Sequence, residues 1–393
     1  MRGLRKYLTP FAPDQSGAVS VLYELGGLIA ICDAGGCTGN VCGFDEPRWF
    51  EQKSALFSAG LRDMDAILGR DDRLVEKLVD AASKLDVKFV AIIGTPVPAV
   101  IGTDYKALGR MCEKRLNMPV ITIDTDGMEL YDVGEEKAWL ELFRTFTEKG
   151  NPNLDIEKKR GKIGVLGLTP QDISDLRAPK KIREYYQEKE GKEAICYCMG
   201  ENVGRMVYGL DNARTAGEVE KNIVVSPAAL AAAKYLEKTF GTPYEATYPI
   251  VEELVPDMDY RRKKILIVHQ QVIGNAMRAE IRRRCQKVNE DSSVDNNAAI
   301  TVASWFMMKP ELSEEGDISF REEDDYMELV KEEDYDIVFA DPMMKRMTED
   351  AYKMAGTGCV ADAHETERKR IFIDATHFAV SGKLREEMKK REA

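Results

Sequence analysis

Phe89-Val-Ala-Ile-Ile-Gly-Thr-Pro-Val-Pro-Ala-Val-Ile-Gly102 is the longest apolar stretch of the chain. Its first five residues, Phe89–Ile93, form an unbroken apolar run, which is typical of a strand buried on both faces of a parallel sheet. The whole stretch is too short to span a bilayer, and it contains Pro96 and Pro98. We therefore interpret it as a core strand of a soluble α/β protein.

Further apolar runs on both sides of this strand have the same character. They are Val120–Ile123, Ile163–Leu168, Ala194–Cys198, Ile223–Val225, Ile265–Val268, Ile300–Ala303, Ile337–Ala340 and Ile371–Ile373. Stretches with helical periodicity lie between them, namely Arg73–Leu85, Glu135–Glu148, Ala228–Phe240, Asn275–Val288 and Glu322–Lys331. Alternation of strands with helices predicts an α/β fold built from doubly wound parallel sheets.

Two polar segments without periodicity divide the chain. Lys149–Asp155 precedes a lysine-rich run, and Val255–Lys264 immediately precedes a new strand. We therefore predict three units, 1–155, 156–256 and 257–393, in agreement with the two or three domains expected for 393 residues. The last residues, Ser381–Ala393, are predicted to form a charged helix.

The charge balance excludes several classes of partner. Against 56 basic side chains the chain carries 68 acidic ones, which gives a net charge of -12. General nucleic-acid binding and binding to anionic membranes both need a basic surface, so we expect neither. The N-terminal residues lack the apolar core of a signal peptide. We expect a soluble, cytoplasmic protein, whose eight cysteines are thiols or metal ligands rather than disulfides.

Three of the cysteines, Cys32, Cys37 and Cys42, lie in the glycine-rich segment Ile29–Gly43. Glycines let a backbone wrap closely around a compact inorganic cluster, and thiolates are soft ligands that suit iron–sulfur clusters or zinc. The second paired half of a common zinc site is missing from the sequence. Two interpretations stay open from spacing alone: a metal site completed by another side chain or subunit, and small buried residues in a tight turn.

The sequence resembles the component 1 (dinitrogenase-like) subunits of nitrogenase and their relatives. These relatives include the dark-operative protochlorophyllide and chlorophyllide reductases, the nitrogenase cofactor assembly scaffold and the reductive cyclase of coenzyme F430 biosynthesis. The segments that carry the resemblance are Asp14–Ala18, Gly26-Gly27, Asp33–Cys37, Gly94–Asp104, Pro119–Gly127, Asn222–Ser226 and Lys234–Tyr244. The most specific matches to the family are Cys37 and Val100–Gly102.

The resemblance implies three Rossmann-like domains around a central cavity and an iron–sulfur cluster, of the 4Fe-4S type, near a dimer interface. Cys37 is the first candidate ligand that it implies. Thr95 and Asp14 stand where the family often has further cysteines, so Cys32 and Cys42 are candidate replacements and Asp14 is a candidate oxygen ligand. Asp14 has an equally good interpretation as the N-cap of a helix over Gln15–Leu25.

The resemblance also implies how the electrons arrive. The chain contains no G-x-x-x-x-G-K-[ST] motif and no G-x-G-x-x-G after a strand, so it has neither a P-loop nor a dinucleotide site of its own. An ATP-dependent iron–sulfur reductase, similar to the nitrogenase iron protein, is the expected partner. The chain is expected to pair with a second copy of itself or with a paralogous subunit.

Ser226 stands where nitrogenases have the cysteine that holds the catalytic cofactor. This departure argues against dinitrogen reduction, so we expect a reductase acting on another small molecule in the cavity, for which a tetrapyrrole-type substrate is the first candidate. The alternative functions are a non-catalytic scaffold for metal-cluster or cofactor assembly and a ligand-binding protein that has lost its metal.

Other candidate residues follow predicted strands. Cys196 and Cys198 face the same side of one strand, and Cys198 is a candidate for lining the cavity, although plain packing is the more common role of such cysteines. His269 and Gln270 follow the first strand of the third unit. Histidine is the usual general acid or base near neutral pH, so His269 is a candidate catalytic residue and Gln270 a candidate substrate contact. A hydrogen-bonded turn histidine is the equally good alternative.

Overall fold

A computed structural model describes residues 5–50, 52–147, 161–199, 209–287, 297–354 and 370–381. Two features expected from the sequence lie wholly or mostly outside these ranges. They are the linker Lys149–Asp155 and the C-terminal helix Ser381–Ala393.

The described residues form three parallel sheets, so the predicted α/β fold class is confirmed. The first sheet contains β1 (Leu28–Ile31), β2 (Ala55–Ser58), β3 (Val90–Ile93) and β4 (Val120–Ile123), in the order β2-β1-β3-β4. The second contains β5 (Lys162–Leu166), β6 (Glu193–Cys196), β7 (Lys221–Val224) and β8 (Tyr244–Ala246), in the order β6-β5-β7-β8. The third contains β9 (Lys264–Val268), β10 (Ala299–Ser304), β11 (Ile318–Ser319), β12 (Ile337–Ala340) and β13 (Ile371–Asp374), in the order β11-β10-β9-β12-β13.

Helices connect the strands. Those of the first half are α1 (Asp14–Leu22), α2 (Gly36–Asn40), α3 (Asp63–Leu68), α4 (Asp71–Ser83), α5 (Pro96–Ile101), α6 (Tyr105–Leu116) and α7 (Tyr131–Phe146). The later ones are α8 (Ala178–Glu190), α9 (Leu210–Arg214), α10 (Leu230–Phe240), α11 (Gln271–Lys287), α12 (Glu323–Glu333), α13 (Lys345–Met354) and α14 (Phe378–Ser381). None of the helices that the structure describes is long and apolar enough to cross a membrane.

The chain divides into two compact units. One comprises residues 11–245 and contains the first and second sheets, and the other comprises the described residues of 1–10 and 246–382 and contains the third sheet. The carboxylate of Glu323 on α12 accepts hydrogen bonds from the backbone N–H groups of Lys6, Tyr7 and Leu8 at 2.7–3.0 Å. The predicted first unit, 1–155, therefore begins with residues that pack in the compact unit of the third sheet.

A close crossing of α1 and α7 positions the candidate site. A Cβ atom added to Gly17 would lie 1.9 Å from the carbonyl oxygen of Tyr131, and one added to Gly134 would lie 1.8 Å from the carbonyl oxygen of Asp14. Only glycine fits at such distances, because neither neighbour is a flexible side chain. The backbones of the two helices are therefore in direct contact at these two positions.

Candidate functional site

The carboxyl ends of β1, β3 and β4 meet at one edge of the first sheet, where ligands commonly bind in doubly wound folds. The segment that follows β1 contains the three clustered cysteines, and Thr95 follows β3. The hydroxyl of Thr95 donates a hydrogen bond of 2.6 Å to the carbonyl oxygen of Cys32. The structure thus brings Thr95 beside the start of the cysteine segment.

Asp33 shapes the start of the cysteine segment. Its carboxylate accepts hydrogen bonds from the backbone N–H and the hydroxyl of Thr38, at 2.7 and 3.0 Å, and from the hydroxyl of Ser58 at 2.6 Å. Gly35 has φ 115°, a conformation that favours glycine, and α2 begins at the next residue. Sequence reasoning missed Asp33 because its partner on β2 lies 25 residues away.

Cys37 lies on α2, and Cys42 lies in the π-helical turn that continues it, Val41–Asp45. The turn closes with a hydrogen bond of 2.9 Å from Glu46 N–H to the Val41 carbonyl. Single π turns are rare in proteins as a whole, but those that occur are often located at functional sites. Both thiols are half-buried, and burial and nearby carboxylates raise the pKa of each. Without a bound metal, both are therefore protonated at neutral pH.

Cys32 has a different environment from the other two. It is 1% exposed and packs in a hydrophobic cluster that includes Cys112, Leu74, Val75 and Leu108. Burial raises the pKa of Cys32 to about 12, so the neutral thiol is strongly favoured. This setting favours the packing interpretation for Cys32, while its predicted role as a ligand stays a prediction.

Asp14 is fully buried at the first position of α1. One carboxylate oxygen accepts hydrogen bonds from the backbone N–H groups of Gln15 and Gly127, and the other accepts one from Asp126, all at 2.8–2.9 Å. Burial raises the pKa of Asp14 above its ordinary value, and the hydrogen bonds from these backbone donors offset only part of the rise. The side chain ties α1 to the loop after β4, so metal binding there would require breaking hydrogen bonds that the fold uses.

These positions decide how well the chain fits an iron–sulfur cluster. Among the residues that the structure describes, no group of three or more histidine, cysteine or acidic side chains is placed to hold one metal ion. A cluster of the 4Fe-4S type takes four thiolates or their substitutes. Cys37 and Cys42 offer two accessible thiols of the right chemistry. The described residues of one chain thus fit part of a cluster site, and the remaining ligands have to come from elsewhere.

Arg48 connects the cysteine segment to the second sheet. Its buried guanidinium pairs with Glu46 at 2.7 Å and Glu24 at 2.9 Å, and it donates a hydrogen bond of 3.1 Å to the carbonyl oxygen of Cys198. Cys198 itself is 1% exposed, and burial raises the pKa of its thiol well above the ordinary value. No local motif marks Arg48, since its partners come from three separate segments.

Ser226 follows β7, at the carboxyl edge of the second sheet. Its hydroxyl accepts a hydrogen bond of 3.1 Å from Ala228 N–H and also interacts with the side chain of Asp172. Gly167 lies against it, because a Cβ atom at residue 167 would be 2.7 Å from the Ser226 Cβ. Cys198 and Ser226 thus lie at the carboxyl edge of the second sheet, while Cys37 and Cys42 lie at that of the first.

His269 and Gln270 follow β9, in the unit of the third sheet. The Nδ1 atom of His269 accepts a hydrogen bond from Gln270 N–H at 2.9 Å, and the ring also hydrogen-bonds the backbone of Thr376. The ring stacks on His377 with 4.7 Å between centroids. Burial lowers the pKa of His269 to about 4, so the imidazole is neutral. This environment favours the turn-histidine alternative over the predicted catalytic role, which stays a prediction.

Gln270 directly precedes α11, which begins at Gln271, and its side chain is buried. Its side-chain oxygen accepts hydrogen bonds from Val272 N–H at 2.7 Å and Ile273 N–H at 3.3 Å. These are donors of the first helical turn, which otherwise lack partners. The predicted substrate contact of Gln270 stays a prediction, and the observed contacts make the side chain a helix cap.

Comparison with known proteins places this arrangement in a family. The family model described as nitrogenase component 1 type oxidoreductase matches residues 16–251. The chain belongs to this family. The matched range contains the cysteine segment, Cys198 and Ser226, whereas Asp14, His269 and Gln270 lie outside it.

One curated relative is the nitrogenase iron-molybdenum cofactor biosynthesis protein NifE of Bradyrhizobium diazoefficiens. It is 24% identical over 194 residues, which are 48% of this chain and 32% of that protein. The chain therefore matches about a third of the length of this relative. The match establishes distant homology within the family, and the specific activity is a separate question.

Solved structures of nitrogenase Cp1 share the fold. The structure at pH 6.5 has a TM-score of 0.65 and 13% identity, covering 100% of this chain and 93% of the other. The structure at pH 5 has a TM-score of 0.60 and 14% identity, covering 91% and 84%. At these identities the likeness concerns the nitrogenase component 1 architecture and not the chemistry of the site.

Proposed function

We propose that this chain is a nitrogenase-like reductase component that receives electrons from an ATP-dependent iron–sulfur partner and reduces a small molecule. One observation carries the proposal: two half-buried thiols, Cys37 and Cys42, follow a strand of the first sheet on a helical segment that contains a π turn. The buried cysteines of the same unit, such as Cys112, have no such access.

Cys37 and Cys42 would hold an iron–sulfur cluster, which supplies a one-electron carrier when it is bound. The two accessible thiols among the described residues leave a four-ligand cluster incomplete, so we propose that a second subunit, identical or paralogous, provides the others. Cys32 and Asp14 are the secondary ligand candidates. Their contacts in the core and with backbone N–H groups make them weaker candidates than the two accessible thiols.

The surface around the cysteine segment supports a protein partner. On α5, which follows β3, Val100 is 86% exposed and Val97 and Ile101 are each 44% exposed. Phe44 in the π turn and Met128 after β4 are exposed as well, at 45% and 81%. These side chains belong to connections at the same edge of the first sheet. Exposed apolar groups that cluster in this way commonly mark interaction sites, which suits docking of the reductase.

The environment of Ser226 bears on the substrate. A hydroxyl that accepts from Ala228 N–H and interacts with Asp172 is a hard oxygen group, unlike the soft thiolate that holds an iron-rich cofactor. We therefore propose that the chain does not reduce dinitrogen. A small molecule with a tetrapyrrole-type double bond or an unclosed ring is the substrate class that we propose instead.

A second candidate function is a scaffold on which a metal cluster or cofactor is assembled. The observation that favours it is the match to NifE, whose name describes a protein of cofactor biosynthesis. The two functions differ in what leaves the protein. A scaffold transfers iron to an acceptor protein without turnover, whereas a reductase keeps its iron and consumes electrons delivered with ATP hydrolysis.

Anaerobic purification with iron and sulfide analysis tests the metal proposal. We expect Cys37→Ala and Cys42→Ala each to lose most of the iron and the electron paramagnetic resonance signal that follows reduction. Cys112→Ala, a buried cysteine in the same unit, is the matched control and should keep both. A wild-type protein that binds no iron after reconstitution, or full retention in the Cys37 and Cys42 variants, would show that the proposal is wrong.

A further inference from the structure

The second sheet has its topological switch point between β5 and β7. From β5 the chain moves through α8 to β6 on one side, and then crosses back to β7 on the other side. Ligands and reacting groups of doubly wound folds collect in the crevice at such a point, outside the carboxyl ends of the strands. The residues there are Thr169–Asp172 after β5 and Ser226 after β7.

Helix α7 places two further polar side chains in this crevice. The hydroxyl of Tyr131 donates a hydrogen bond of 2.7 Å to one oxygen of Asp172, and the hydroxyl of Thr169 donates one of 2.6 Å to an oxygen of Glu135. Tyr131, Thr169 and Glu135 are 0% exposed, and Asp172 is 1% exposed. The two carboxyl groups are thus fully removed from bulk water.

The other oxygen of each carboxyl, Glu135 Oε2 and Asp172 Oδ2, receives no hydrogen bond from a donor among the described residues. The two carboxyl groups nevertheless lie within hydrogen-bonding contact of each other. Two ionised carboxylates repel at such a distance, and burial makes the repulsion stronger. One proton held between the two groups removes this repulsion, as in carboxyl pairs that titrate as a unit.

We propose that Glu135 and Asp172 share one proton at neutral pH and that this pair donates protons to the substrate during the proposed reduction. The inference rests on the proposed function. The hydroxyl of Ser226 links the pair to the position where the resemblance places cofactor or substrate, because it interacts with Asp172 while it accepts from Ala228 N–H.

The proposed step balances in charge and atoms. The substrate gains one electron that the ATP-dependent partner supplies, and the resulting anion takes the shared proton to form a new C–H or N–H bond. The pair changes from one net negative charge to two. Before the next electron arrives it regains one proton, which comes from water by way of the hydroxyl groups that hydrogen-bond the buried pair. Reduction of one double bond uses two electrons and two protons, so the pair acts twice in each turnover.

The surroundings keep the pair protonated. Burial, the largest cause, raises the pKa of both Glu135 and Asp172, and the negative charge of Asp132 on α7 raises that of Glu135 further. The other titratable groups that face the pair are Tyr131 on α7 and Cys198 after β6. Burial raises the pKa of each of these as well, so both stay neutral and add no charge at neutral pH.

Infrared difference spectroscopy of the anaerobic full-length protein tests the shared proton. We expect the C=O stretching band of a protonated carboxylic acid to persist at neutral pH in the wild type and to disappear in Glu135→Gln. Glu141→Gln lies on the same helix with its side chain 40% exposed, and it should leave the band unchanged. A wild-type spectrum without the band, or a band that survives in Glu135→Gln and Asp172→Asn, would overturn the shared proton.

Turnover measurements test the donor role separately. We expect Glu135→Gln to keep its iron and its binding to the reductase while substrate reduction falls at least tenfold and loses its pH dependence. Unchanged reduction in a variant that has lost the infrared band would overturn the donor role. Loss of iron from the wild type would instead reject the proposed function, and the infrared band would still decide whether the pair holds a proton.

Discussion

Asp45 shows how a single buried carboxyl controls the cysteine segment. It ends the π turn that contains Cys42, and it accepts hydrogen bonds from the hydroxyl of Ser16 at 2.6 Å and from the side-chain amide of Asn40 at 2.7 Å. Burial raises its pKa to about 6, with a smaller contribution from the nearby Glu46. The side chain thus joins α1 to the cysteine segment, and its charge changes within the physiological pH range.

Asp45→Asn should change how stability depends on pH. The unfolded pKa of an aspartate is about 4, below the folded value of about 6. Protonated Asp45 therefore stabilises the fold below pH ~4, and this contribution is lost as the pH rises through the folded pKa. The asparagine variant lacks the titration, so relative to the wild type it should gain about 2–3 kcal/mol between acidic and neutral pH.

Denaturant unfolding across this pH range measures the effect. Asp72→Asn, a change at an exposed carboxyl on α4, should follow the wild-type curve. A difference between Asp45→Asn and wild type that stays constant with pH would contradict the assignment of the raised pKa to Asp45.

At the scale of single residues, the sequence could predict candidates but not their environments. By spacing alone, Cys32, Cys37 and Cys42 are equivalent candidates for metal ligands. The fold distinguishes them, because it buries Cys32 in the core and leaves the other two accessible. The Glu135–Asp172 pair could not be found from the sequence, because its members meet only when α7 packs against the second sheet. Burial and long-range contact are the properties that spacing does not encode.

At the scale of elements, apolar runs were a sufficient signal for buried strands. Each of the nine predicted runs overlaps an observed strand, because parallel strands covered on both faces need continuous apolar sequence. The short or peripheral strands β2, β8 and β11 gave no such signal. In β2, for example, the last two residues, Phe57 and Ser58, are not buried. β1, which leads into the glycine-rich segment, is not among the predicted runs either.

The close crossing of α1 and α7 predicts that two glycines differ in how well they tolerate alanine. Gly134→Ala should destabilise the protein by about 3 kcal/mol, since the added methyl would overlap the backbone of Asp14 and force the helices apart. Gly39→Ala on α2 is the matched control, because its Cβ atom would meet nothing within 4 Å among the described residues. It should be neutral or stabilising by up to about 1 kcal/mol, through helix propensity.

Thermal and denaturant unfolding of the two alanine variants compares them directly. Equal stabilities would mean that the close contact between the helices is absent in solution. No second substitution can relieve this clash, because the overlapping atoms belong to the backbone of Asp14. The control at Gly39 therefore carries the comparison.

At the scale of the whole molecule, the domain division depends on contacts between distant parts of the sequence. Polar linkers predict continuous units, yet residues 5–10 pack in the compact unit that contains residues 246–381. The three hydrogen bonds to Glu323 join positions more than 300 residues apart in the sequence. Composition marks where a chain leaves one unit, but it does not show to which unit a terminal segment returns.

The exposed apolar face of α5 predicts where the reductase binds. Val100 is 86% exposed, so Val100→Asp should leave folding and iron content unchanged. It places a charge in a surface that we propose the ATP-dependent reductase covers, and burying an unpaired charge is costly. We therefore expect the affinity for that reductase to fall at least tenfold, which corresponds to about 1.4 kcal/mol.

Leu85→Asp is the matched control for this experiment. Leu85 is 39% exposed and lies after α4 and before β3, near the amino end of that strand, whereas α5 follows the carboxyl end. Binding of the purified reductase to each variant, measured anaerobically with ATP, should therefore be weakened by the change at Val100 and not by the change at Leu85. Equal affinities in the two variants would place the docking surface away from α5, and the electron entry point would have to be sought on another face.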